Sequence, residues 1–314
     1  MGSIKTEMIV IGGTNMDIKA KAGAALIAGS SNPGTVTVSP GGVGRNIAHN
    51  LARLGVKTGL ITAVGNDAYG RDIVTKARAA GIDISLAVTT AEPTGTYVAM
   101  LDHTGEMSVA VNDMAGTAQL TVAALKHRHD RLENAKLIVA DCNIPEESLR
   151  FLTRYRGKLI VEPVSVAKCV KMKGLGALLA ATPNRLQAQT LTGVMVRTIA
   201  DARKAAAALH EIGIAKVMIG LDVQGCVISE AGGEMLHVPI HESEAGVARD
   251  ATGGGDAAVA GFVYGLIKGL PLDQTGQLAQ AAASLAIASL DSVSERLSLG
   301  RAMDLARPRF RAAS

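Results

Sequence analysis

Short apolar runs that stop at or near a glycine recur along this chain and alternate with segments of helical spacing. Residues 8–11 end at Gly12-Gly13, 59–64 at Gly65 and 216–219 at Gly220; 137–140 and 159–161 are runs of the same kind. Runs this short read as buried strands, because a helix needs more length to bury a face. Residues 46–54 carry Ile47, Leu51 and Leu54 on one helical face and are followed by Gly55, and 71–80 stop at Gly81. A glycine just past the last periodic residue is a helix stop. Residues 125–132, 146–155, 199–212, 256–268 and 278–290 also read as helices. Strands alternating with helices predict an α/β fold whose parallel sheet is covered on both faces.

Two stretches break the rhythm. Residues 20–39 and 86–111 are rich in Val, Thr, Ser and Gly and lack a long helical pattern; Val36-Thr37-Val38 and 96–101 alternate as strands do. They are expected to pair into a small β-lid over the open end of the sheet. The lid segments, about 18–40 and 86–112, are inserted in a single domain spanning 1–314.

Composition narrows the function. Charged residues are 19% and hydrophobic ones 48%, which excludes a disordered chain. The net charge of +4 is dispersed, and three Phe, four Tyr and no Trp are too few rings for stacking successive bases. No nucleic-acid partner is expected. Cys142, Cys169 and Cys226 are odd in number and form no CxxC pair, which argues against a disulfide framework or zinc cluster and fits thiols in a reducing cytoplasm. No apolar stretch reaches the ~20 residues that span a bilayer, so no membrane partner is expected.

Three glycine-rich stretches carry the chemistry. Asp250-Ala251-Thr252-Gly253-Gly254-Gly255-Asp256 leads directly into an apolar helix. Consecutive glycines let backbone N–H groups approach a ligand, and at a helix start those amides and the macrodipole make an anion site. A carboxylate beside it is placed to take a proton from an attacking hydroxyl, a combination suited to phosphoryl transfer. Pro40-Gly41-Gly42-Val43-Gly44-Arg45-Asn46 opens a second helix, and Asn46 can bond a sugar diol. It is not a dinucleotide fingerprint, since Ile47 stands where the third glycine belongs, and no Walker A loop occurs. Gly12-Gly13-Thr14-Asn15-Met16-Asp17 follows the first strand, where open α/β sheets bind ligands.

Together these stretches resemble the ribokinase-like, or PfkB, carbohydrate kinases over essentially the whole chain. Gly41 to Asn46 looks like that family's N-terminal signature and Thr252 to Asp256 like its C-terminal one, in the family's order and distance. Ala63-Val64-Gly65-Asn66-Asp67-Ala68-Tyr69-Gly70 and Gly81-Ile82-Asp83 match further landmarks. The resemblance implies a three-layer α/β/α fold with a mostly parallel central sheet and a β-lid. Within the family, Ser31-Asn32-Pro33-Gly34, Asp102 with Thr104-Gly105-Glu106-Met107, Asn112-Asp113-Met114, Asp141-Cys142-Asn143, Pro163-Val164-Ser165 and Lys168-Cys169-Val170 are most similar to bacterial pseudouridine kinases.

That likeness implies ATP-dependent phosphorylation of the 5′-hydroxyl of pseudouridine. Another ribose or nucleoside kinase, or a weakly active kinase-fold nucleoside binder, stays open. Carried over residue by residue, Asp256 is the base and Gly253, Gly254 and Gly255 the anion hole. Asp17, Gly41, Gly42 and Asn46 would hold the ribose, with Asn15 and Asn143 near the nucleoside. Asn184, Gln187, Gly220, Asp222, Gly225 and Thr252 would face ATP, Asn184 and Gln187 organising Mg2+ indirectly. Asp250 and Thr252 stand where relatives hold K+. The family also implies a homodimer through the lid and a cytoplasmic role in nucleoside breakdown.

Departures cluster on the donor side. The family's Asn-x-x-Glu is Asn184-Arg185-Leu186-Gln187, its Asp-Pro is Glu162-Pro163, its Lys-Pro-Asn is Thr182-Pro183-Asn184, and Asp222 occupies a glycine position in the nucleotide loop.

Overall fold

The structure is a computed structural model, and it describes residues 6–241, 253–287 and 292–310. The strands in chain order are β1 (Met8–Ile11), β2 (Asn15–Ala22), β3 (Gly34–Gly41), β4 (Thr58–Ile61), β5 (Ala63–Gly65), β6 (Val88–Thr90), β7 (Thr96–Leu101), β8 (Met107–Asp113), β9 (Leu137–Asp141), β10 (Leu159–Glu162), β11 (Leu178–Ala181), β12 (Ile214–Gly220), β13 (Cys226–Glu230) and β14 (Met235–Val238). Eight of them form one sheet in the order β14-β13-β12-β11-β10-β9-β1-β4. From β12 to β4 every neighbouring pair is parallel, while β13 and β14 add an antiparallel edge.

Alternation along the strands builds two cores. Ile9, Ile11, Ile138, Ala140, Leu159, Val161, Val217 and Ile219 face one layer; Met8, Val10, Val139, Ile160 and Met218 face the other. The period of two sends successive side chains to opposite faces. Helices Val43–Arg53, Gly254–Lys268, Leu272–Ile287 and Leu299–Phe310 cover the second face with Ile47, Leu51, Phe262, Leu278 and Ala302. Helices Glu146–Leu152, Arg185–Thr192 and Ile199–Glu211 cover the first with Leu149, Ala188, Ala202, Ala205 and Leu209. The result is the three-layer α/β/α arrangement.

Four strands outside this sheet form a lid in the order β3-β2-β7-β8. Its register lines up Val36, Ala20, Met100 and Val109 in one row, and Val38, Ile18, Val98 and Val111 in the next. Both rows lie on the face opposite Asp17, and Val36, Val109 and Val111 are more than half exposed.

Several local expectations need correction. The lid begins before the expected residue 18: Asp17 lies inside lid strand β2, paired with Ser39 and Tyr97. Val88–Thr90 leaves the lid and pairs with Ala63–Gly65. Residues 125–132 do not form one helix but split into Val122–Lys126 and His129–Asn134. The helix expected to end at Tyr155 stops at Leu152 and continues as a 3-10 turn kinked at Tyr155. The helix expected at 278 begins at Leu272 instead, because Gly276 packs under Val238 and Ile228 and continues the buried face.

Candidate active site

The parallel strands present their carboxyl ends on one edge, and the site grows there. β9 ends in Asp141, which is fully buried. Its Oδ2 accepts from the backbone amides of Gly13 (2.9 Å) and Gly44 (2.8 Å) and from Asn143 Nδ2 (3.0 Å); its Oδ1 accepts from Asn143 N (2.9 Å). One carboxylate thus ties together the loop after β1, the start of helix Val43–Arg53 and Asn143. Burial pushes its pKa up, while the four donors favour the ionised form. Lys168 Nζ donates 2.6 Å to Asn143 Oδ1 and fixes that amide from its other side.

Helix Val43–Arg53 starts without a side-chain cap. Its N-cap Gly42 has φ +95°, and a Cβ there would lie 2.5 Å from the Gly13 carbonyl, so both conformation and space demand glycine. Gly41 lies against the Asp17 carboxylate. Asn15 Nδ2 donates 2.6 Å to Asp17 Oδ1. Asp17 is half-buried; burial raises its pKa, opposed by the Asn15 bond and by Lys19 and Arg45.

The helix Gly254–Lys268 brings the remaining acid. Gly253 (φ +86°) is its N-cap and supplies no side-chain cap, so the first-turn amides of Gly254, Gly255 and Asp256 are left for another acceptor. Asp256 Oδ2 accepts a 2.8 Å hydrogen bond from Asn46 Nδ2. Asn46 is 5% exposed, and its Oδ1 has no hydrogen-bond partner among the described residues. Burial pushes Asp256 up to about 7; the Asn46 bond lowers it, Asp141 raises it, Arg45 lowers it and Asp17 raises it. A carboxyl poised there can exchange a proton near neutral pH.

On the next strands, Glu162 ends β10 and is buried. Its Oε2 accepts from Thr182 Oγ1 (2.5 Å) and its Oε1 from Val164 N (3.0 Å). Burial pushes it up to about 8, against those two bonds and with the Asp256 and Asp141 charges adding. Asn184 caps the helix Arg185–Thr192 in a reciprocal box: its Oδ1 accepts from Gln187 N (3.0 Å), and Gln187 Oε1 accepts from Asn184 N (2.8 Å). Gly220 bridges to Asn184 across parallel backbone, and Gly225 closes the following turn by accepting from Leu221 N at 2.8 Å. Asp222 has φ +54°, a left-handed conformation that glycine takes freely and Asp tolerates. Its carboxylate lies 3.7 Å from Arg185 and is three-quarters exposed.

The structure therefore brings Asn15, Asp17, Gly41, Gly42, Asn46, Asn143 and Gly253 to Asp256 around one cleft end. It places Asn184, Gln187, Gly220, Asp222 and Gly225 together two to three strands away. Asp250 and Thr252 lie outside the described residues. No group of three or more His, Cys, Asp or Glu among the described residues is arranged to hold a metal. Two residues of the acceptor end carried no role in the sequence reading, Asp141 and Arg45. An acid ending a buried parallel strand was the available signal for the first.

Fold and cleft are those of a phosphotransferase acting on an alcohol group. The chain belongs to the pfkB family of carbohydrate kinases, whose model matches residues 5–295. It is 35% identical to the pseudouridine kinase of Escherichia coli K12 over 306 residues, covering 96% of each chain. It is similar to the solved carbohydrate kinase from Agrobacterium tumefaciens, with TM-score 0.82, 26% identity and coverage of 96% and 97%. The Arabidopsis thaliana ribokinase solved with ribose and ATP shares the fold, with TM-score 0.81 at 21% identity and coverage of 96% and 99%. Among the described residues no helix is long and apolar enough to cross a membrane.

Proposed function

We propose that this chain transfers the γ-phosphoryl group of ATP to the 5′-hydroxyl of pseudouridine. The observation that carries the reaction is the Asn46–Asp256 contact at the uncapped start of helix Gly254–Lys268. Asp256 takes the 5′-hydroxyl proton as that oxygen forms its bond to the γ-phosphorus. The bond to the β-phosphate bridging oxygen breaks, and ADP leaves. The amides of Gly254 and Gly255, with Gly253 shaping the turn, face the charge on the transferred group. Asp17 and Asn46 hold the ribose hydroxyls beside Gly41 and Gly42, the Asn46 Oδ1 being a buried acceptor open to a hydroxyl. Asn15 and Asn143 border the nucleoside.

The nucleotide lies over Asn184, Gln187, Gly220, Asp222 and Gly225, and Thr252 is assigned to the same nucleotide site by its place in the family motif. Magnesium fits this end as an ion carried on the phosphates, since the side chains there offer amides rather than a carboxylate cluster. Asp250 and Thr252 are proposed to hold K+. Support for pseudouridine is the 35% identity to the Escherichia coli enzyme along nearly the whole chain. A second reading, nucleoside binding with poor turnover, is favoured by the neutral Gln187. A panel of pseudouridine, uridine and ribose with ATP and magnesium separates the two: rapid 5′-phosphorylation of pseudouridine supports the first, and binding without turnover the second. We further propose a cytoplasmic homodimer paired through the apolar outer rows of the lid.

A further inference from the structure

We propose that Arg45 is a positioning residue of the acceptor end: its guanidinium fastens the lid strand β3 to helix Val43–Arg53 and keeps a positive charge beside the Asp17 and Asp256 carboxylates. The residue is 7% exposed, an unusual place for an arginine. Its Nη2 donates to the Pro40 carbonyl, at the cleft end of β3. Its Nη1 lies 3.2 Å from His49 Nδ1, one helical turn away. Arginine can only donate, so His49 Nδ1 accepts and that ring carries its proton on Nε2. His49 suits the task because it stays uncharged: burial, with Arg45 and Arg53 adding, pushes it down to about 4. The backbone of Arg45 is also pinned, its N–H donating 3.2 Å to the Gly13 carbonyl. A planar fork held on two sides keeps its charge in one place, which a flexible lysine does not.

The setting explains why a fixed cation is useful there. Asp256 is faced by Asp141 from β9, Asp17 from lid strand β2, Glu162 from β10, and Arg45 with Asn46 from helix Val43–Arg53. Asp141 and Asp17 disfavour its ionised form, whereas Glu162, pushed up to about 8, is itself largely protonated near neutral pH. Arg45 offsets those two charges, and it opposes the effect of burial on Asp17. This inference rests on the proposed role of Asp256.

The test is the pH dependence of kcat/KM for pseudouridine in the wild type, Arg45→Gln, Arg45→Lys and Asp256→Asn. Glutamine keeps a polar amide but carries no charge; lysine keeps the charge without the fork. An ionised base is needed, so activity falls as pH drops through its pKa. Arg45→Gln should move that acid limb to higher pH, leaving the rate at pH 7 about fivefold low for a displacement of about one pH unit. Arg45→Lys should leave the limb in place and raise KM. Equal losses in both variants with an unmoved limb make Arg45 a purely structural residue and overturn the proposal. An active Asp256→Asn variant overturns the base assignment itself, and the inference with it.

Discussion

Asn46 and Asp256 are 210 residues apart in the chain, yet the Asn46 amide nitrogen donates a 2.8 Å hydrogen bond to the Asp256 carboxylate. The contact joins the two glycine-rich helix starts into one site. Its first consequence concerns Asp256→Asn. The substitution keeps shape and volume and removes the acceptor of the hydroxyl proton. Turnover should fall ~10²–10⁴-fold, the usual contribution of a general base. Calorimetry should show pseudouridine affinity nearly unchanged.

Asp141 should matter more than its lack of an assigned role suggests. Four donor hydrogens converge on it from Gly13, Gly44 and Asn143. In Asp141→Asn one of its two positions becomes a donor facing a donor. A buried group left unsatisfied costs about 1–3 kcal/mol, to be read from urea unfolding. The substitution also removes a negative charge that raises Asp256. The acid limb of kcat/KM should therefore shift to lower pH, opposite to the effect of Arg45→Gln.

Gln187→Glu should leave the fold intact, because a carboxylate oxygen can accept from Asn184 N as the amide oxygen does now. It adds a negative charge at the donor end. Asp222, 3.7 Å from Arg185, is the other acid at this end; if it already supplies the charge, Gln187→Glu should slow the enzyme and adding Asp222→Gly should restore it. The magnesium concentration giving half-maximal rate should fall, with pseudouridine KM little changed. A titration showing no difference from wild type would detach Gln187 from metal use.

The lid offers a test of assembly. Val98 and Val111 are register partners in the outer apolar rows, both solvent-facing in the single chain. Burying such rows against a second copy removes apolar area from water at about 25 cal/mol per Å². Val98→Lys with Val111→Lys places like charges side by side on that face. Sedimentation should show the wild type as a dimer and the double variant as a monomer. A monomeric wild type would exclude the lid pairing.

Much of this architecture was legible from local signals. Short apolar runs marked β1, β4, β9, β10 and β12, the first, second and last of them stopped by glycine, and period-two alternation marked β3 and β7. The hairpin β13–β14 passed unnoticed, because Cys226–Glu230 and Met235–Val238 mix polar residues into short strands. The two helix starts were visible as glycine clusters, but their meeting was not. A contact between Asn46 and Asp256 depends on strand order, which no local pattern carries. The position of Asp17 on β2 depends on a related fact: only the pairing of Ser39 and Tyr97 across it shows that the lid strand starts before residue 18. Arg45 had no signal at all, since its meaning lies in Pro40 and His49 on either side of it.

The most direct test of the central claim is to incubate the purified protein with ATP, magnesium and equal concentrations of pseudouridine, uridine and ribose. Phosphorus NMR of the products identifies which hydroxyl is esterified. The account predicts a 5′-phosphomonoester of pseudouridine as the dominant product, formed by the wild type and lost in Asp256→Asn. Preferential phosphorylation of ribose or uridine, or product formation unaffected by the Asp256 substitution, would contradict it.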